Sequence, residues 1–237
     1  APKEEADSTA ALPWTIGIGK LSVDNLAFGM RTAPAVSELS VRLAEGTVDE
    51  CRVRLDSQQV SVKSVLLNRG GYSYLTGPAV PGKEKQEAAP APGGSTPSLP
   101  WTVRIGSVVL TGNRAEYGLL NHRPAAGFDP SFIALSTLDL AVDSIYNRGA
   151  DIALQIRRMA FTERSGLTVS DMTGDIGMDA SGISLAGVTL KTPFSRIEAN
   201  ISAGEGILAL APDSPLKAAL TADVNTKDLK YLYPALI

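Results

Sequence analysis

Apolar residues along the chain keep one uneven beat, at i, i+2, i+5 and i+7. Ile16, Ile18, Leu21 and Val23 carry it first, and Val60, Val62, Val65 and Leu67 repeat it. It returns at Val103, Ile105, Val108 and Leu110, then at Ile133, Leu135, Leu138 and Leu140. Leu154, Ile156, Met159 and Phe161 follow it, as do Ile183, Leu185, Val188 and Leu190, and Leu167, Val169 and Met172. A helix turning about 100° per residue would scatter these positions around its circumference. A strand puts i and i+2 on one face, and one extra residue, a β-bulge, returns i+5 and i+7 to it. The other reading is two short strands per stretch, but the break is too short for a turn. One shared irregularity in so many stretches predicts stacked, similarly bent strands.

Strands are predicted near 13–23, 26–31, 36–43, 48–55, 58–67 and 72–75. A second set is predicted near 101–110, 114–119, 132–142, 151–161, 166–178, 181–190, 194–203, 206–210 and 216–225. Turn chemistry separates them at Asn68-Arg69-Gly70-Gly71, Asn147-Arg148-Gly149, Arg164-Ser165-Gly166, Ala180-Ser181-Gly182, Gly204-Glu205-Gly206 and Pro212-Asp213-Ser214-Pro215. One helix is predicted near 227–233, capped by Thr226, with Asp228 in its first turn, an apolar side of Leu229 and Leu232, and Pro234 beyond it. Its place is over a sheet end. The fold class is all-β.

The longest sequence identity in the chain is internal. Leu12-Pro13-Trp14-Thr15-Ile16-Gly17-Ile18-Gly19 returns as Leu99-Pro100-Trp101-Thr102-Val103-Arg104-Ile105-Gly106, and Phe28-Gly29 falls on Tyr117-Gly118 after a two-residue slip. This is a repeated supersecondary unit. It divides the chain into a disordered lead-in (1–11), a partial β-repeat unit (12–77), a Pro/Ala/Gly-rich linker or loop (78–98) and a larger β unit (99–237). The linker carries five prolines, Gly93-Gly94 and the charged Lys83-Glu84-Lys85.

Composition narrows the class. Of 237 residues, 44% are hydrophobic but only 5% aromatic, which suits repetitive aliphatic sheet better than a bulky globular core. A net charge of −3 and no Lys/Arg cluster argue against nucleic-acid binding. No apolar run approaches the roughly 18–20 residues that span a bilayer, and the opening Ala1-Pro2-Lys3-Glu4-Glu5 reads as an internal segment of a longer protein. Cys51, the one cysteine, keeps phase with Val53 and Leu55 and reads as a small buried hydrophobe.

Candidate chemistry is sparse. His122 is the one histidine and sits in the loop Asn121-His122-Arg123-Pro124, without a second imidazole for a metal. Asp171, Asp175 and Asp179 lack a calcium-loop pattern and read as solvated turn carboxylates. No Gly-x-Ser-x-Gly elbow is present, and Gly17 and Gly19 lie within a strand rather than before a helix. Trp14 and Trp101, at equivalent repeat positions, read as anchors at strand starts. No enzyme activity, cofactor or metal is expected.

The stretch from Leu99 onward resembles the AsmA-like, TamB-like superfamily of bacterial envelope proteins. The resemblance lies in the Leu99–Leu110 motif and the Tyr117 strand, then Phe128-Asp129-Pro130 and Ile133–Leu140, then the Met159–Leu167 stretch, Met172–Asp175 and Leu190–Ser195. The Lys227–Leu232 helix before Pro234 is similar to the family's pattern as well. The resemblance implies an elongated, curled antiparallel β-sheet, a β-groove or β-taco, with one short C-terminal helix. It implies a periplasmic segment of a protein anchored in the inner membrane, passing phospholipid toward the outer membrane or assisting outer-membrane assembly. Acyl chains and an outer-membrane assembly protein would be its partners. On that reading Val103, Ile105, Ile133, Leu135, Leu154, Ile156, Ile183 and Leu185, in one phase of successive strands, line the groove. The alternative is a structural or adhesive β-sandwich module of a secreted or surface protein; the low aromatic content favours the groove.

Overall fold

The computed structural model describes residues 14–32, 37–77, 100–204 and 216–232. Ten strands lie in chain order in one sheet. They are β1 (Thr15–Thr32), β2 (Ser37–Arg54), β3 (Gln59–Thr76), β4 (Thr102–Leu119) and β5 (Phe132–Arg148), followed by β6 (Asp151–Glu163), β7 (Thr168–Asp179), β8 (Gly182–Lys191), β9 (Arg196–Ala203) and β10 (Leu216–Asp223). One helix among the described residues, α1 (Thr226–Leu232), follows. The protein is all-β, and its sheet is curled but not closed. The expected lead-in at 1–11, the linker at 78–98, the strand at 206–210 and the turn at Pro212–Pro215 lie outside the described residues.

Pairing is antiparallel throughout except between β3 and β4, which run parallel from Gln59↔Thr102 to Thr76↔Leu119. The sheet is therefore mixed, where the family resemblance implies an antiparallel one. The parallel joint falls where the repeat begins again, so the last strand of the first unit lies beside the first strand of the second. Opposed residues also align the repeat without a slip. Phe28, Val41, Tyr72 and Ala115 share one level, and Met30, Leu39, Tyr74 and Tyr117 share the next.

The strands are longer than expected. Each of β1 to β4 merges two predicted strands into 18 residues, a reach of up to about 60 Å. Asn68-Arg69-Gly70-Gly71, with the composition of a turn, lies inside β3. What reads as a turn is a kink. Arg69 has φ 52°, Asn25 on β1 has φ 54° and Thr137 on β5 has φ 50°, left-handed values uncommon outside glycine. A second line of kinks crosses the sheet at Glu50 (φ 49°) and Ser144 (φ 54°).

The expected extra residue does not appear in the first three pairings. The β1–β2 ladder skips Gly19 and Glu50 yet resumes in unchanged register, with Ile18↔Cys51 on one side and Lys20↔Asp49 on the other. Both strands deviate together, so neither gains a residue on its neighbour. True register shifts begin at β4–β5 and recur through β8–β9. Either device returns the beat to one face.

The hydrophobic residues buried most deeply among those described are Leu43, Leu138, Val142, Ile156, Val169, Ala199 and Ala203. All belong to the apolar rows, so the curl turns that face inward. Leu43 shows how tightly the kink brings rows together: a Cβ on Gly46 would lie 2.7 Å from its Cδ2. The other face carries cross-strand ion pairs, Lys63 with Glu50, Arg69 with Glu45, and Arg31 with Glu38 at 2.8 Å.

Asn113 stitches the parallel joint. It is fully buried, and its Oδ1 accepts from the Gly70 N–H (2.7 Å) and the Tyr72 hydroxyl (3.3 Å) while its Nδ2 donates to the Leu67 carbonyl (3.0 Å). Backbone groups that the kink frees from the ladder are thereby satisfied. The same device recurs where the Gly112 N–H donates to Asp139 (2.8 Å) and the Gly187 N–H to Asn200 (2.8 Å).

Asn113→Ala leaves the buried Gly70 N–H without a partner and should cost about 1–3 kcal/mol. Asn200→Ala, at an exposed kink where water can replace the amide, should cost less than about 1 kcal/mol. Urea unfolding of both variants checks the order.

Candidate functional site

The site is a face rather than a pocket. Directly opposed residues share a side of the sheet, and one apolar row crosses all ten strands. It runs Val23–Gly46–Leu67–Leu110–Leu140–Met159–Met172–Leu190–Ile197–Ala222. Strand spacing makes it roughly 45 Å long around the curl. Its neighbours are apolar too. Leu21, Val48, Val65, Val108, Val142 and Ile156 form a row on one side of it. Ile18, Cys51, Val62, Ile105 and Ile145 form the next. Cys51 stands in that row half-buried rather than fully enclosed.

The residues expected to line the groove all join this face, but not as one stripe. Antiparallel pairing reverses alternate strands, so equal positions in successive strands fall at opposite ends. Val103 and Ile105 face Asn147 and Ile145, whereas Ile133 and Leu135 face Tyr117 and Ala115 at the far end of β4. Leu154 and Leu185 do share a row, on either side of Ile176, and it continues to Ile201 and Ala218. Ile183 lies between Met178 and Ala203. Ile156, between Val142 and Gly174, is buried at 7% exposure, and the other seven are half-buried.

The face also extends into the first unit, which sequence reasoning left out of the site. On β1, Leu21, Phe28 and Met30 are 48%, 49% and 48% exposed. The signal was present, since β1 and β3 keep the same beat as β4. At the far end Tyr74 and Tyr117 stack across the parallel joint, with centroids 6.2 Å apart.

A concavity of about 790 Å³ lies at one end of the sheet and takes in Ile152, Met178, Ile183 and Ala203, one row of the apolar face. It also includes the row Tyr146–Ala153–Gly177–Ser184–Ser202–Lys217 of the opposite face and the turn from Asp179 to Gly182. Its mixed apolar and polar lining offers no converging set of reactive groups. No cluster of three or more His, Cys, Asp or Glu that could hold a metal occurs among the described residues. Asp171 pairs with Lys191 at 3.5 Å, and Asp179 accepts from the Ser181 hydroxyl and N–H within its turn.

One end of the sheet is built up. The helix is capped by Asn225 rather than Thr226: the Asn225 side chain accepts from the Lys227 N–H at 3.0 Å. Asp228 is buried and accepts from the Thr192 and Ser195 hydroxyls in the β8–β9 turn. The Phe128 N–H donates to the Tyr231 carbonyl (2.8 Å), and Arg164 donates to the Ala125 and Gly127 carbonyls (2.8 Å each). The helix and the 120–131 loop are thus tied to the same sheet end. Within that loop His122 pairs with Asp129 at 2.8 Å, and the Ala125 and Ser131 N–H groups donate to the same carboxylate. His122 is a loop clamp. No described helix is long and apolar enough to cross a membrane.

The Asp129 carboxyl is held down to about 2, chiefly by the His122 hydrogen bond and next by the Ala125 N–H. An unfolded aspartate titrates near about 3.9, so the clamp's contribution is complete above that pH and is lost as pH falls through about 2. Carbon-detected NMR titration should place the Asp129 midpoint near 2; a midpoint near the unfolded value would mean that the clamp is open. No family model and no curated protein matches this chain, so the functional reading rests on this geometry and on the sequence.

Proposed function

We propose that the chain is a non-enzymatic periplasmic segment of an AsmA/TamB-like protein, presenting an apolar groove to phospholipid acyl chains. The full-length protein would be held in the inner membrane, and the groove would serve lipid transfer toward the outer membrane or the assembly of outer-membrane proteins. The observation that carries this reading is the apolar row that crosses all ten strands without a polar interruption. A contiguous apolar surface left half open marks a binding site. Its uniformity fits a ligand without fixed orientation. An acyl chain needs only apolar continuity to slide, and each methylene removed from water contributes about 0.8 kcal/mol. A β-sandwich would need a second sheet facing the first, and the described residues form one sheet.

A photoreactive residue at Leu21, Ile105 or Leu185 should crosslink to labelled lipid in phosphatidylethanolamine/phosphatidylglycerol vesicles. One at Arg52 or Ser184, on the opposite face, should not. Equal labelling of both faces, or of neither, would sink the groove. Leu21→Asp places its charge at an exposed edge, so stability should change by only about 0.5 kcal/mol while lipid capture falls. Ile156→Asp buries an unpaired carboxylate at a cost of several kcal/mol and should unfold the sheet.

A further inference from the structure

We propose that the edge of β1 turned away from β2, around Gly19, is an acceptor for an extended peptide strand added in parallel, as β3 is added to β4. The argument does not depend on the lipid reading. β1 and β4 both open on Trp-Thr, both run 18 residues, and both hold their following strand antiparallel at the same levels, Ile18↔Cys51 in one and Ile105↔Ile145 in the other. They differ at the other edge. β4 carries β3 there, and among the described residues β1 pairs on one side only.

A glycine marks what that edge is shaped for. At the parallel joint a Cβ on Gly106 would lie 2.5 Å from the Lys63 carbonyl oxygen and 3.5 Å from its carbon, so the backbone of β3 occupies the place of a side chain. The repeat puts Gly19 at the equivalent position of β1, where a Cβ would meet nothing within 4 Å. Glycine weakens a strand interior and commonly marks a close backbone approach. On β4 that approach is filled; on β1 no described residue fills it. A long edge strand presents unpaired N–H and C=O groups that template strand addition. The partner that fits is an extended segment with aliphatic residues on the beat of Val60, Val62, Val65 and Leu67, which would lengthen each apolar row by one strand.

The test uses the full chain and a fluorescent peptide with the sequence of residues 59–76. Saturable binding by fluorescence anisotropy is expected. Gly19→Val should weaken it at least tenfold with melting temperature unchanged, and Gly19→Ala should weaken it in the same direction. Gly17→Val should leave it within twofold, because the equivalent position beside β3 holds the full side chain of Arg104. A nitroxide at the peptide's N-terminal end should broaden NMR signals near Thr15 rather than Thr32. Binding indifferent to Gly19→Val would mean exchange into the β3 position and would overturn the proposal. Broadening near Thr32, or an edge already closed by self-association of the chain that the peptide does not compete, would overturn it as well.

Discussion

A strand turns its side chains to alternate faces at every residue, and that constraint governs the whole molecule. An apolar set can stay on one face of an 18-residue strand past an odd step only if the backbone changes hand at the step. Here the change is made by residues at positive φ, among them Asn25, Glu50, Arg69, Thr137 and Ser144. A lone left-handed residue of this kind costs roughly 1–2 kcal/mol. Sharing the kink between neighbours keeps the ladder in register on both sides, so the cost is not compounded by lost pairing. The freed backbone groups then need partners, which explains why Asn113, Asp139 and Asn200 stand beside glycines at the kinks.

The parallel joint between β3 and β4 concentrates these requirements. Parallel neighbours put the end of β3 and the start of β4 at opposite ends of the sheet. The joint is held by the Asn113 bonds, by the Tyr74–Tyr117 stack and by the close approach at Gly106. It is also where the apolar rows pass from one repeat unit to the next. Val60 meets Val103, Val65 meets Val108 and Leu67 meets Leu110 without a break. The repeat thus specifies a way of joining units as much as a unit.

Much of this was legible in the sequence, and the misses have physical reasons. The beat gave the strands because period-2 alternation is a backbone property, and the one described helix lies within a residue of its expected span, although Asn225 rather than Thr226 caps it. Boundaries failed at Asn68–Gly71 because the composition that makes a turn also tolerates positive φ inside a strand. The eight candidate groove residues share a face but do not stand side by side as one stripe, since phase along a strand determines a side while pairing direction determines adjacency. Asn113 was readable in principle: it occupies an apolar phase of β4, and a polar residue there asks for a buried partner. Glu163, buried opposite Leu135, carries the same signal. The parallel pairing had no such marker in the residues themselves.

Connectivity explains why the apolar face stays open. Every strand packs against the strands next to it in the chain, and among the described residues no strand crosses back over the face. Stability in such an arrangement comes from successive neighbour interfaces, as in repeat proteins, and it does not require a second layer. A sandwich or a closed barrel would gain burial by covering the rows. This sheet instead leaves most of its row residues half-buried, with few sealed inside. The curl brings neighbouring rows close enough to limit their exposure without filling the space between its edges. The helix is tied to turns at one end, through Asp228 with Thr192 and Ser195, and leaves the length of the rows free. An open apolar face is therefore built into the order in which the strands pair.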